Sequence, residues 1–298
     1  MARKIGVLCC SLVFLVTLTV ARAHAQRAPI FTTVDFAGAV ETDVNDINRN
    51  GVMVGHQCSD NLCDDPNTPG TAHAWVNVNG TFRNVRIPGS SQSRAYGIND
   101  KNQIVGWAIL SDGLTHGFMF DKGNVTTLDP PGSTLTNAWS INNAGIIVGT
   151  FVDVSGVFRG FILRNGQYKV FDAPNGALLT EITAINNHNQ MGGIYFDSAG
   201  VQHGFTLVGQ TFTDVSFPRQ GVIVTAVDRI NDSGDLVGLW GTDTAGPFQG
   251  YLRVGTQYTP VNFPGSSETR CRGINNAGVI TGRYTGSDGN IHGMTVTP

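Results

Sequence analysis

The residues whose types could do chemistry come in pairs, two positions apart: Asp43 and Asn45, Arg94 and Tyr96, Asn137 and Trp139, Glu181 and Thr183, Ala226 and Asp228, Arg270 and Arg272. Tyr96 and Trp139 offer aromatic faces on which sugar rings stack. Arg94, Arg270 and Arg272 offer guanidinium forks that hold a carboxylate or sulfate through paired hydrogen bonds. Glu181 with Asp43 or Asp228 supplies two carboxyl groups, the pair that general acid–base cleavage of a glycosidic bond needs, with Tyr96 and the arginines handling an anionic sugar. Two functional readings follow. The favoured one is a module that binds a carbohydrate or other polar or surface ligand, or a protein partner. The alternative is a glycoside hydrolase or polysaccharide lyase acting on an anionic sugar. A purely structural reading stands beside both, with Asp43 paired to Arg94 or Arg270, because structural ion pairs also gather charge.

What positions these pairs is a repeat. Each lies four and two residues before an Ile-Asn dipeptide: Ile47-Asn48, Ile98-Asn99, Ile141-Asn142, Ile185-Asn186, Ile230-Asn231 and Ile274-Asn275. The steps between successive isoleucines are 51, 43, 44, 45 and 44 residues. Seven residues after each Asn stands a glycine, namely Gly55, Gly106, Gly149, Gly193, Gly238 and Gly282. Further on comes a polar–small–bulky triplet such as His73-Ala74-Trp75, His116-Gly117-Phe118 or His203-Gly204-Phe205. Positions five and three before the Ile repeat as a hydroxyl and a small or apolar residue, which marks them as packing positions. The two candidate columns vary from unit to unit, so they form a non-repeating ring of polar side chains on a repeating scaffold and predict a binding site.

Each unit reads as four strands separated by turns. In the third unit, Asn142–Gly145 and Asp153–Gly156 are turns, and Asn165-Gly166 is a two-residue hairpin connection. About 44 residues in four antiparallel strands is the size of one propeller blade. The last unit stops at Pro298 after its third strand, and a segment that matches a fourth strand, FTTVDFAG over 31–38, stands at the other end of the chain. The expectation is an all-β, six-bladed β-propeller of four-stranded antiparallel blades, closed by the N-terminal strand pairing into the last blade. The predicted blade cores are near 41–88, 92–131, 135–174, 179–218, 224–264, and 268–298 plus 31–38. Closure of this kind covers two sheet edges that would otherwise be open. The candidate pairs would then encircle the mouth of the central channel.

The runs of IN-x-x-G-x-I-V-G type and the His-Gly-Phe or His-Ala-Trp triplets resemble the HAF-repeat family of probable extracellular repeat proteins. The resemblance covers nearly all of the chain after its leader and implies an exported bacterial repeat protein. It departs at Arg159 and Gln249, which stand where the triplet has His.

Composition agrees with short strands and export. There are 38 glycines, only 14% of residues are charged, and Glu and Lys are scarce, so long helices are disfavoured. Arg3 and Lys4, an apolar run over 5–20 and Ala23-His24-Ala25 have the order of a signal peptide cleaved near Ala25. The expected mature chain, 26–298, is a single domain, secreted to the periplasm or beyond, without a membrane span. The leader takes three of the 19 basic residues and no acid, leaving 16 against 22, a balance that argues against nucleic-acid binding. Cys58 and Cys63 share one polar insertion, where an oxidising compartment favours a local disulfide. No metal site or cofactor is expected: the repeated histidines lie on separate blades, and one Asp per hairpin is too few oxygens for calcium. Cys271 reads as a buried small side chain. Elbow, zincin and P-loop signatures are absent.

Overall fold

The computed structural model describes residues 28–60, 63 and 71–298. The expected leader lies outside them. No helix occurs among the described residues, and so none is long and apolar enough to cross a membrane.

The chain opens with β1 (Ile30–Thr33). It then runs through antiparallel meanders β2 (Glu41–Ile47) to β5 (Thr81–Asn84), β6 (Gln92–Ile98) to β9 (Asn124–Leu128), and β10 (Ser133–Ile141) to β13 (Gln167–Phe171). Next come β14 (Leu179–Ile185) to β17 (Thr211–Val215), β18 (Val224–Ile230) to β21 (Gln257–Val261), and β22 (Glu268–Ile274), β23 (Ile280–Thr285) and β24 (Ile291–Thr297). The outer partner of β24 is β1, antiparallel, with Phe31 opposite Val296 and Thr33 opposite Met294. The first strand of each meander, from β2 through β22, contacts the first strand of the next, and β22 contacts β2. Single parallel bridges join Glu41 to Ile291 and Gln202 to Val224 across neighbouring meanders.

The core lies between successive sheets. Val54 and Ala74 of the first meander pack with Ala95, Ile98 and Phe118 of the next, and Val148 packs with Ile182 and Phe205. Here the repeated glycines and bulky triplet residues find their reason. A Cβ on Gly149 would stand 2.1 Å from the carbonyl oxygen of Asn137 and 2.5 Å from the Phe161 ring, and Gly193 meets Glu181 and Phe205 in the same way. The second strand must pass this close to the first, and the aromatic ring of the third covers the spot.

The repeated Asn does two jobs. Asn142 Oδ1 accepts the N–H groups of Ala144 and Ile146, closing its own turn, while its Nδ2 donates to the Asn186 carbonyl of the next meander. The same donation runs from Asn48 to Asn99, from Asn99 to Asn142 and from Asn186 to Asn231, and Asn275 returns to Asn48. The repeated histidines are likewise braces. His116 lies 3.0 Å from Asp112 and 2.7 Å from Asp129, and His292 lies 3.2 Å from Asp288 and 2.8 Å from Asp35. Arg159 takes this place in the third meander, between Asp153 and Asp172. Cys58 and Cys63 form a disulfide, and Cys271 is fully buried, its thiol pushed well up by burial.

Candidate functional site

Every first strand carries the same irregularity. Its pairing with the second strand slips by one residue three to one positions before the repeated Ile, as between Val44 and Asp46 or Val227 and Arg229. The extra residue of each bulge is Asn45, Tyr96, Trp139, Thr183, Asp228 or Arg272. A bulge frees the residue from the ladder and re-aims it. These six are the second column of candidates, and all six line one cavity of about 200 Å³.

Arg229 forms the floor of that cavity. Its guanidinium donates to the carbonyl oxygens of the bulged Asn45 (3.2 Å), Tyr96 (2.5 Å), Trp139 (3.2 Å) and Thr183 (2.7 Å). Its Nε lies 3.2 Å from Asp46 Oδ1, and the Asp46 carboxylate also accepts the N–H groups of Ile47 and Ile98. Burial raises the Asp46 pKa above the ordinary carboxylate value, against the pull of Arg229. A second, smaller depression on the other side of Arg229 is walled by the repeated Asn residues and Asp46. Arg229 and Asp46 thus plug the axis and leave the larger cavity blind.

From the first candidate column, Glu181 and Arg270 also line the cavity. Tyr96 and Trp139 meet edge to face, 4.3 Å between centroids, and Trp139 Nε1 donates to Thr150, so the indole plane is held firmly. Arg272 Nη1 donates to Asp228 Oδ1 at 3.0 Å, while Asp228 Oδ2 and Arg272 Nε have no hydrogen-bond partner among the described residues. Arg270 Nε donates to Glu268 at 2.5 Å, and its guanidinium lies 4.8 Å over the Phe248 ring. Burial, then the neighbouring Arg283 and Arg272, lower the Arg270 pKa. Thr183 is occupied, donating to the Val227 carbonyl, and Asn45 donates to the Ala95 carbonyl. Glu181 is different. No group among the described residues hydrogen-bonds its carboxyl, and burial, reinforced by Asp228 and opposed by Arg272, raises its pKa to about 7. Apolar Ile194, Val224, Leu239 and Phe248 complete one wall.

Three predicted residues do not line this cavity. Asp43 is buried 2.9 Å from Arg283 and 3.5 Å from His56, where the sequence suggested Arg94 or Arg270. The carboxyl that shares the cavity with Glu181 is therefore Asp228. Arg94 turns away to the Cys63 carbonyl and lies 5.3 Å over Trp107. Asn137 is half-buried and outside the cavity lining. The cavity is thus eccentric, displaced toward β14, β18 and β22. Glu41, Asp43 and His56 bring potential metal-ligand atoms within 4.8 Å of one another, but the Arg283 guanidinium already sits on both carboxylates.

Arg229 and Asp46 are the functional residues that the candidate columns missed. Their position, one before the repeated Ile, is otherwise Gly97, Ser140, Ala184 and Gly273. Two long or charged residues in a column of small ones were the available signal.

No protein-family model and no curated protein sequence matches the chain. Solved structures do resemble it. The Aleuria aurantia lectin, in complex with Fucα1-6GlcNAc, aligns with a TM-score of 0.51 at 10% identity, over 90% of this chain and 98% of the lectin. The β-propeller domain of the Trilobed protease from Pyrococcus furiosus aligns at 0.52 and 10% identity, over 87% and 94%. TolB from Acinetobacter baumannii aligns at 0.55 and 10% identity, over 82% of this chain and 63% of TolB. At such identities the likeness speaks to fold, and the fold is an all-β propeller.

Proposed function

We propose that the protein is a secreted six-bladed β-propeller that binds a carbohydrate in the blind cavity at its channel mouth. The circle of contacts among β2, β6, β10, β14, β18 and β22 supports a reading of six blades. Closure by the N-terminal strand is supported by the pairing of β1 with β24 and by Asp35, which braces His292 as Asp129 braces His116. On this reading residues 26–298 are one domain, residues 1–25 are a cleaved leader, and the chain is of the HAF-repeat type.

The observation that carries the binding reading is the cavity itself. The rigid Tyr96–Trp139 aromatic pair lines the same cavity as Glu181, Asp228 and Arg272, which retain unused hydrogen-bonding capacity. Aromatic faces beside directed polar groups suit a sugar ring, apolar on its faces and polar at its rim. At about 200 Å³ the cavity is smaller than the roughly 300–1,000 Å³ typical of pockets for drug-sized ligands, so one terminal sugar residue is the natural occupant. Fucosides belong in the test panel because the Aleuria aurantia lectin is seen with one.

A second reading, glycoside hydrolysis, rests on Glu181. A carboxyl raised to about 7 beside Asp228, which is salt-bridged to Arg272, is the pattern of a general acid with a second carboxyl group. The test is a thermal-shift screen of neutral, amino, uronic, sulfated and fucosyl sugars on the wild type and Trp139→Ala. A ligand at about 100 times its dissociation constant adds about 2.7 kcal/mol, and the variant should lose that shift. No shift with any sugar overturns the binding reading. Release of free sugar from a bound glycan would move it to hydrolysis.

A further inference from the structure

The charges around the cavity do not favour an anion. Each arginine that lines it is already held by a carboxylate: Arg229 by Asp46 at 3.2 Å, Arg270 by Glu268 at 2.5 Å and Arg272 by Asp228 at 3.0 Å. Three cations are matched by three anions, and Glu181 is a fourth carboxyl that forms no salt bridge among the described residues, with Arg272, already paired to Asp228, as its cationic neighbour. An anionic ligand held by Arg270 or Arg272 would lie close to the carboxylate already on that arginine and be repelled by it, or would have to displace it. Leaving a buried carboxylate without its cation is strongly unfavourable. A cationic ligand displaces nothing and supplies Glu181 with a salt-bridge partner.

The aromatic residues point the same way. Tyr96 and Trp139 line the cavity that Glu181 lines, and an ammonium group is attracted both to a carboxylate and to the face of an indole or phenol. Asp228 Oδ2, buried with no hydrogen-bond partner, is a second acceptor for an N–H or O–H donor.

We infer that the cavity takes a sugar bearing a free ammonium group, that is, an amino sugar that is not N-acylated, with the ammonium against Glu181 and the ring against Trp139. This rests on the sugar-binding reading above and names its ligand class, replacing the anionic sugar that the arginines alone would suggest. The Glu181 carboxyl, raised to about 7 by burial and by Asp228, is partly protonated at pH 7 and gives up that proton when the ammonium arrives, so binding of the cation releases a fraction of a proton.

The experiment is a calorimetric titration of the full protein at pH 7 with D-glucosamine, N-acetyl-D-glucosamine, D-glucose and D-glucuronate, repeated on Glu181→Gln. Expected is binding of glucosamine at least tenfold tighter than of the other three, with an advantage lost in Glu181→Gln. Running the wild type in two buffers of different ionisation enthalpy should show proton release on glucosamine binding. Glucose or N-acetylglucosamine binding as tightly as glucosamine, or glucuronate binding tightest, would overturn the ammonium assignment and leave the sugar-binding reading standing. Binding of none of the four, together with a silent sugar screen, would overturn both. A Glu181→Gln protein that binds glucosamine as well as the wild type does would remove Glu181 from the site.

Discussion

Arg229 reaches across the axis to Asp46, two residues that are 183 positions apart in the chain and 3.2 Å apart in space. The guanidinium meanwhile holds four backbone carbonyls from four different first strands. One side chain therefore fastens the bulges of β2, β6, β10 and β14 to β18 and turns a channel into a cup. The cavity owes its floor, and the fixed positions of Tyr96 and Trp139, to this contact.

Removing the plug should cost much stability. Arg229→Met leaves the Asp46 carboxylate buried without its cation, and loss of one partner of a buried pair typically costs about 3–5 kcal/mol. Urea denaturation measures this. The double variant Arg229→Met with Asp46→Asn should recover a good part of the loss, because no buried charge is then left alone. A single-variant loss below about 1 kcal/mol would mean that the pair behaves as an ordinary exposed one.

Glu181 makes stability depend on pH in an unusual direction. Its carboxyl titrates near 7 in the folded protein and near 4.5 when exposed, so between these values the folded state holds a proton that the unfolded state has lost. The stability this contributes is full below about pH 4.5 and is lost as pH rises to 7. The integrated effect is of order 3 kcal/mol. Glu181→Gln should therefore gain on the wild type between pH 4.5 and 8 in unfolding experiments. A constant difference across that range would show that burial does not shift this group.

The repeated glycines make a sharp packing prediction. Gly149→Ala places a methyl group 2.1 Å from the Asn137 carbonyl oxygen and against Phe161, where neither neighbour can withdraw without moving a strand. Overpacking of this kind costs about 1–3 kcal/mol or more. Alanine at Gly166, a hairpin-turn glycine with positive φ and open space around it, tests strain alone and should cost less. Equal melting temperatures for the two variants would contradict the close-approach explanation.

The β1 pairing predicts cooperative loss. Deleting residues 28–39 removes the outer partner of β24, the Phe31 contact with Phe263 and the Thr33–Tyr284 hydrogen bond. The whole domain should melt earlier in one transition, by about 2–4 °C for each kcal/mol lost. An unchanged melting temperature would show that β1 is an ornament.

Much of this was legible because the repeat exposes its own rules. The Gly and aromatic marks could be counted directly, and the structure supplies their cause in the approach of Gly149 to Asn137. All six residues of the second candidate column are bulged and line the cavity. Of the first column, Asp43, Arg94 and Asn137 lie outside the cavity lining. Simple strand alternation puts Asp43, Asn45 and their equivalents on one face, but the bulge breaks that alternation, and Arg283 draws Asp43 away. Arg283 lies on the second strand, more than 200 residues from Asp43, and no local pattern reveals such a pairing. Arg229 was hidden for another reason. The other members of its column are mostly small, Gly97, Ser140, Ala184 and Gly273, so the column has the character of a packing position.

The most direct test of sugar binding in the cavity is the emission of Trp139, which alone of the four tryptophans lines it. Titrating a sugar identified by thermal shift into the protein should change tryptophan emission saturably, with the midpoint at the calorimetric dissociation constant. The change should vanish in Trp139→Phe, whose remaining tryptophans lie elsewhere. A sugar that binds while emission stays constant, or a change that persists undiminished in Trp139→Phe, would put the ligand outside the cavity and contradict the account.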